Sequence, residues 1–251
     1  YAHADQAAAA QALDAAAART AFLVTESVFS MDGDTAPLAA LAALAADRAA
    51  TLYVDDAHGF GILGADGLAG ACAHADLPAH DRLTMVTFGK ALGSVGAAVL
   101  GDAAVIDYLV QRARTYVYDT ALPAVCAAAV LSALDLLAED PAPRRHLHAN
   151  IARFRAAGNA CALPLAPSDT PIQPLVLGTD ARALAVAATL AEAGFYVRAI
   201  RPPTVPEGSA RLRIVISAAH AASDIDALVA ALAGALAEHP GSTIAPCPRE
   251  A

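Results

Sequence analysis

Short apolar runs alternating with Ala-rich, helix-patterned stretches limit what this chain can fold into. Ala21-Phe22-Leu23-Val24-Thr25, Thr51-Leu52-Tyr53-Val54-Asp55, Leu83 to Phe88 and Val95 to Leu100 read as strands. Residues 3–18 read as a helix, and Pro37 opens a second one to about Arg48, proline being favoured in a first helical turn. Apolar strands alternating with helices imply a mostly parallel sheet covered on both faces. Ligands bind at the carboxyl ends of such strands, which puts Asp55 and the Thr87–Lys90 turn in one crevice. A long helix follows, about Pro123 to Ala138, and Asp140-Pro141-Ala142-Pro143 then punctuates the chain. Beyond it lie expected helices at 144–158, 180–193 and 222–238, and expected strands near 172–177, 195–200 and 211–217. The reading is an α/β chain: part of a large, mostly parallel sheet domain over 1–140, a smaller α+β domain over 141–239, and a flexible tail over 240–251.

Composition removes several classes. Hydrophobic residues make up 57% of the chain and charged ones 16%, but alanine inflates the first figure. The most apolar stretch, Ala121 to Ala138, contains Pro123 and Asp135 and is Ala-rich where a spanning helix is Leu-rich. It reads as a buried helix of a soluble protein, with no membrane partner. A net charge of −9 without a basic stripe argues against nucleic acid. Cys72, Cys126, Cys161 and Cys247 form no C-x-x-C pair and read as free thiols of a reducing compartment. With no secretory signal read at the start, a cytoplasmic location is expected.

Lys90 is the only lysine; the fifteen other Lys and Arg positions are all arginine. Arginine cannot lose a proton and attack a carbonyl as an amine, whereas a lysine whose pKa is lowered by burial can. A lone lysine in the apolar, Gly-flanked turn Thr87-Phe88-Gly89-Lys90-Ala91-Leu92-Gly93 therefore points to a Schiff base with an aldehyde, pyridoxal 5'-phosphate (PLP) being the obvious one. PLP needs a carboxylate at its pyridine nitrogen. Asp55 is the candidate, because Asp56 points to the opposite side of the strand. His58 could donate to the ring's phenolic oxygen or stack on the ring, and Ser30 could reach a cofactor oxygen. The residues alone leave other readings open: an ordinary loop lysine, Asp55 as a turn or helix-cap residue, His58 as a structural histidine.

Arg211-Leu212-Arg213 puts two arginines on one strand face, and a bidentate arginine is the natural clamp for a substrate carboxylate. Arg211 reads better as half of a surface ion pair. Asp32-Gly33-Asp34 lacks the remaining ligands of a calcium loop and reads as a plain turn. His146 and His148 lack further ligands at metal spacing and read as a solvated helix start, so no metal is expected.

Five segments occur in a specific order: VTESVFSMDGD (24–34), VDDAHGFG (54–61), TFGKALG (87–93), YDTALP (118–123) and IRPPTVPEGSARLR (200–213). As a set they resemble the α-oxoamine synthase family of fold-type-I PLP-dependent transferases, over Tyr1 to about Glu238. The resemblance implies that Lys90 holds the cofactor and then shuttles protons, and that Asp55 pairs with the pyridine nitrogen. It also implies that His58 and Ser30 contact the phenolic-oxygen region and that Thr87 binds the phosphate. Thr120 matches a threonine that reaches the phosphate in the neighbouring subunit, which implies a homodimer with shared sites. Arg213 matches the binder of the amino-acid carboxylate. The last segment is most similar to the branch of biotin biosynthesis, which condenses L-alanine with a pimeloyl thioester, carried by CoA or by a carrier protein, with loss of CO2. Branches resembling 2-amino-3-ketobutyrate CoA ligase or 5-aminolevulinate synthase, or a catalytically silent PLP-fold subunit, are the alternatives.

Family members have a substantial portion before the point matching Tyr1, with a Gly-rich segment near the phosphate and a histidine that stacks on the ring. The expectation is a chain with a raw sheet edge and exposed apolar faces, which alone binds PLP weakly or not at all and aggregates.

Overall fold

The computed structural model describes residues 1–16, 20–64, 70–78 and 82–241. The expected tail, from residue 242 on, lies outside them, as do Cys247 and the end of the helix expected over 3–18. The chain divides into two compact units: Tyr1–Val28 with Thr35–Pro141, and Phe29–Asp34 with the chain from Ala142. The segment Phe29–Asp34, which the sequence reading put in the first domain, thus belongs with the second. The reason is chemical: Arg211, Arg213, Ser168 and Thr170 all bond to it.

The first unit is built on β1 (Phe22–Glu26), β2 (Thr51–Asp55), β3 (Arg82–Thr87) and β4 (Ala97–Leu100), in that spatial order. The first three strands are parallel and β4 returns antiparallel to β3. Its helices are α1 (Gln6–Ala15), α2 (Leu38–Asp47), α3 (Gly70–His74), α4 (Ala103–Arg112), α5 (Arg114–Val117) and α6 (Ala124–Glu139). Asp5 starts α1 by accepting from the Ala7 and Ala8 amides, and Asp102 starts α4 by accepting from Ala104. The crossover helix α2 buries Leu38, Leu41, Leu44 and Ala45. It packs on the sheet face that carries Leu23, Leu52 and Val54, all nearly inaccessible.

Two expectations fail in this unit. The sheet is not covered on both faces: Phe22 and Val24, which alternate with buried Leu23 and Thr25, stay 55% and 54% exposed. The cause is that α2 lies on the Leu23 side. Nor is the Ala-rich helix buried. In α6 only Val130 is buried, while Val125, Leu131 and Leu136 are exposed, because the unit contacts just one stripe of it. No helix among the described residues is long and apolar enough to cross a membrane.

The second unit holds α7 (Ala142–Ala160), β5 (Ile172–Gly178), α8 (Asp180–Glu192), β6 (Arg198–Ile200), β7 (Ala210–Val215) and α9 (Ala222–Glu238). Its sheet is antiparallel, ordered β5-β7-β6. Leu212 and Ile214 of β7 are buried, as are Phe154, Val186, Leu190, Ile225 and Leu232 of the helices. Strand period then turns Arg211 and Arg213 to the opposite face.

Candidate active site

In the first unit the site grows from the carboxyl ends of β2 and β3. Register pairs Glu26 with Asp55 and Asp55 with Met85, so these three side chains share a sheet face. Thr87 lies two residues past Met85 and returns to that face. It is the open face, where Tyr53, Asp55, Met85 and Thr87 are only half-buried. Asp55 Oδ1 accepts from the Ala57 amide at 2.9 Å, which fixes the carboxylate in a tight turn. Asp55 thus does serve as a turn residue. Burial, then the negative charge of Asp55, raises the pKa of Tyr53.

Asp56 goes the other way. It is 1% exposed, and its Oδ2 accepts from the Ala71 amide at 3.0 Å. A Cβ at Gly59 or at Gly70 would fall 2.2 Å from one of its oxygens, so the carboxyl fills the space between two stretches of loop. Burial pushes its pKa up, while the Ser27 hydroxyl and the Ala71 amide pull it down by less. Asp56 Oδ1 and Ser27 Oγ are both buried without a hydrogen bond of full geometry. This aspartate is a structural clamp under the His58 loop.

Lys90 sits in the hairpin between β3 and β4. The Phe88 amide bonds to Gly96 O, Ser94 to Phe88 O, and Gly93 to Lys90 O at 3.1 Å. Thr87 Oγ1 lies 3.4 Å from both Gly96 O and the Gly89 amide. Sequence reasoning expected a buried lysine. Instead Gly89, Lys90 and Ala91 are exposed, because the turn runs past the sheet end and only Leu92 inserts into the core. His58 is half-buried just after the β2 turn. Thr120 lies in the exposed stretch between α5 and α6, where Asp119 Oδ1 accepts from its amide.

The second unit carries Ser30 and Arg213. Arg213 Nε donates to Ser30 O at 2.6 Å. Arg211 is not the surface ion pair expected. Its side chain is 7% exposed and donates to Asp32 Oδ1 at 2.5 Å, with Met31 O and Ser209 O as further acceptors. Burial follows because the 29–34 segment lies along this face of β7. Arg198 of β6 stands directly across from Arg213 in the sheet register. A cavity of about 580 Å3 within this unit is lined by Met31, Arg198, Ile200, Arg213, His220 and Leu228, among others. It joins apolar walls to two guanidinium groups, a setting for an organic acid. The Asp32–Asp34 turn is closed by its own backbone, Gly33 N to Phe29 O and Phe29 N to Asp34 O. Among the described residues no three His, Cys, Asp or Glu side chains gather as metal ligands would.

The donor set fits PLP in its chemistry. A carboxylate and a hydroxyl share one face at neighbouring strand ends, and a primary amine follows the second of them by three residues. An aldehyde, a pyridinium and a phosphate call for those three groups.

Comparison with known proteins agrees. The model of a family described as aminotransferase class I and II matches residues 1–232. An 8-amino-7-oxononanoate synthase of Methylococcus capsulatus is 52% identical over 237 residues, covering 94% of this chain and 61% of the relative. That of Anaeromyxobacter dehalogenans is 48% identical over 242 residues, 96% of this chain and 60% of the relative. The chain therefore spans about three fifths of the length of these relatives. Among solved structures, a serine palmitoyltransferase from S. paucimobilis with bound PLP–myriocin aldimine superposes with a TM-score of 0.88 at 25% identity, over 94% of this chain and 60% of that one. An 8-amino-7-oxononanoate synthase from Francisella tularensis gives 0.81 at 30% identity, over 95% and 68%.

Proposed function

The chain belongs to the aminotransferase class I and II family, and from that membership we propose that it serves a PLP-dependent 8-amino-7-oxononanoate synthase. The reaction joins L-alanine to a pimeloyl thioester and releases CO2 and the thiol. The observation that carries the reading is the shared open face of Asp55 and Thr87, with the chain's single lysine in the turn that follows. The names of relatives about half identical to the chain support the choice of reaction.

PLP, when bound, supplies an aldehyde for the amino group and a ring that absorbs carbanion charge. The residues of this chain hold and steer. The Asp55 carboxylate, fixed by the Ala57 amide, keeps a proton on the pyridine nitrogen. The Lys90 amine attaches the cofactor, then takes and returns the proton at the α-carbon of the amino acid. The Thr87 hydroxyl donates to phosphate, and His58 and Ser30 address the phenolic oxygen. Arg213 clamps the amino-acid carboxylate, its Nε pinned by Ser30 O. The protein works in the cytoplasm as a homodimer in which Thr120 serves the neighbour's phosphate. The exposure of Tyr116, Tyr118 and Leu122 around Thr120 supports that contact.

The test is an absorbance titration with PLP, then borohydride reduction and mass spectrometry. Lys90 and the N-terminal amine are the only primary amines, so the adduct is easily assigned. A band that needs high PLP to appear, trapped on Lys90 and lost in Lys90→Ala, is the expected result; PLP trapped on the N-terminal amine with none on Lys90 refutes the attachment. L-alanine with pimeloyl-CoA, set against glycine and L-serine, then tests the substrates.

A further inference from the structure

We propose that the Arg211–Asp32 pair is a positioning device that aims Arg213 at the carboxylate of the amino-acid substrate; this rests on the role given to Arg213 above. Two guanidinium groups two residues apart project from the same face of β7, where like charges repel. They are treated differently. Arg211 is buried and neutralised by Asp32, and it also bonds to Met31 O. Arg213, half-exposed, gives its Nε to Ser30 O and lines the cavity of the same unit.

The segment 30–33 thus runs alongside β7, tied at every residue. Ser30 O is held by Arg213, Met31 O and the Asp32 carboxylate by Arg211. Gly33 O accepts from Ser168 Oγ at 2.8 Å and Thr170 Oγ1 at 2.9 Å. The place of Ser30 O therefore depends on Asp32 and Arg211, and the orientation of the Arg213 fork depends on Ser30 O. Removing the Asp32 charge leaves a cation sealed beside Arg213 and frees the segment that orients it. A guanidinium that no longer faces the carboxylate in one fixed plane loses bidentate geometry.

Asp32 is the residue to change, since it is half-exposed and its replacement opens no cavity. In Asp32→Asn, amide exchange at Phe29 and Gly33 is expected to accelerate while the β7 ladder stays protected. This reading needs no cofactor. In the PLP-loaded protein the KM for L-alanine is expected to rise roughly tenfold or more, the scale of a misplaced orienting group. The KM for pimeloyl-CoA and the trapping of PLP on Lys90 should stay put, and Asp32→Glu should recover most of the alanine affinity. A purely structural role predicts instead a lower melting temperature with both KM values moving together and PLP trapping on Lys90 reduced, and that result overturns the proposal. So does an Asp32→Asn with unchanged exchange or unchanged alanine KM. If Asp32→Asn folds poorly, Asp32→Glu decides: an alanine KM as poor as that of Arg213→Lys refutes positioning. Arg213→Lys is also the control for the underlying reading. Should it leave alanine binding intact, the carboxylate clamp itself is wrong, a failure distinct from that of Asp32.

Discussion

Gly33→Ala tests the tie between the 29–34 segment and the second unit. Gly33 has φ +69°, where an Ala costs about 1–2 kcal/mol through its Cβ. The new methyl would also stand 2.3 Å from Ile172 O and 2.8 Å from Ser168 Oγ, inside the 3.0 Å that real Cβ contacts respect. Ile172 O is backbone of β5, so the turn must lift rather than the strand yield. Lifting it strains or breaks the Ser168 and Thr170 bonds to Gly33 O, at about 1 kcal/mol each. The sum is about 3–4 kcal/mol. Gly208→Ala is the matched control: φ is +75°, but nothing lies within 4 Å of the added Cβ. It should lose only the conformational part, about 1–2 kcal/mol. Urea unfolding followed by far-UV circular dichroism reads both, the chain having no tryptophan. If the two variants differ by less than about 1 kcal/mol, the clash and the clamp it displaces are not what fixes this segment.

Lys90→Arg keeps the positive charge but cannot form the adduct, so PLP trapping should vanish and activity fall by roughly 10^3-fold or more, as on losing a nucleophile; residual trapping at position 90 would be decisive against this. Asp56 gives a pH signature. Its native pKa is raised above the ordinary 3.8 by burial, so the native state holds that proton more tightly than the unfolded chain does. The stabilisation is complete below about 3.8 and is lost as pH rises through the native value. Relative to wild type, Asp56→Asn should therefore gain stability as pH rises from about 4, and a flat difference across parallel melts would contradict the assignment. Finally, Phe22→Ser with Val24→Ser should change stability by only about 0.5 kcal/mol, since both side chains are exposed, yet reduce light scattering at high concentration. Unchanged scattering would show that this face does not drive self-association.

Most of the scaffold could be read from local pattern. Each expected strand has a counterpart, because runs of five to seven mostly apolar residues between turn signals leave few alternatives. The helix over Ala103–Arg112 was missed although Asp102 caps it and Val105, Ile106, Leu109 and Val110 recur on one helical face. The opposite facing of Asp55 and Asp56 followed from strand period alone. The exposure of Lys90 and of α6 was not legible, because burial depends on what packs from outside the segment. Arg211 was misjudged for a related reason: its partner Asp32 lies 179 residues away, and no local spacing announces such a pair.

That pairing also explains why Ser30 is not simply an appendage of β1. Ser30 follows the end of β1 by only four residues, and sequence proximity would assign it to the parallel sheet. The Val28–Thr35 bridge closes the base of the excursion within the first unit, and Ser30, Met31, Asp32 and Gly33 beyond it are bonded to residues of the second. Two arginines two residues apart, one compensated within the fold and one turned to a cavity, supply the means. The same face of β7 that fixes Ser30 also presents Arg213. The proposed cofactor contact and the proposed substrate clamp of this unit therefore share one rigid support, and a change in either reaches the other through the Ser30 carbonyl.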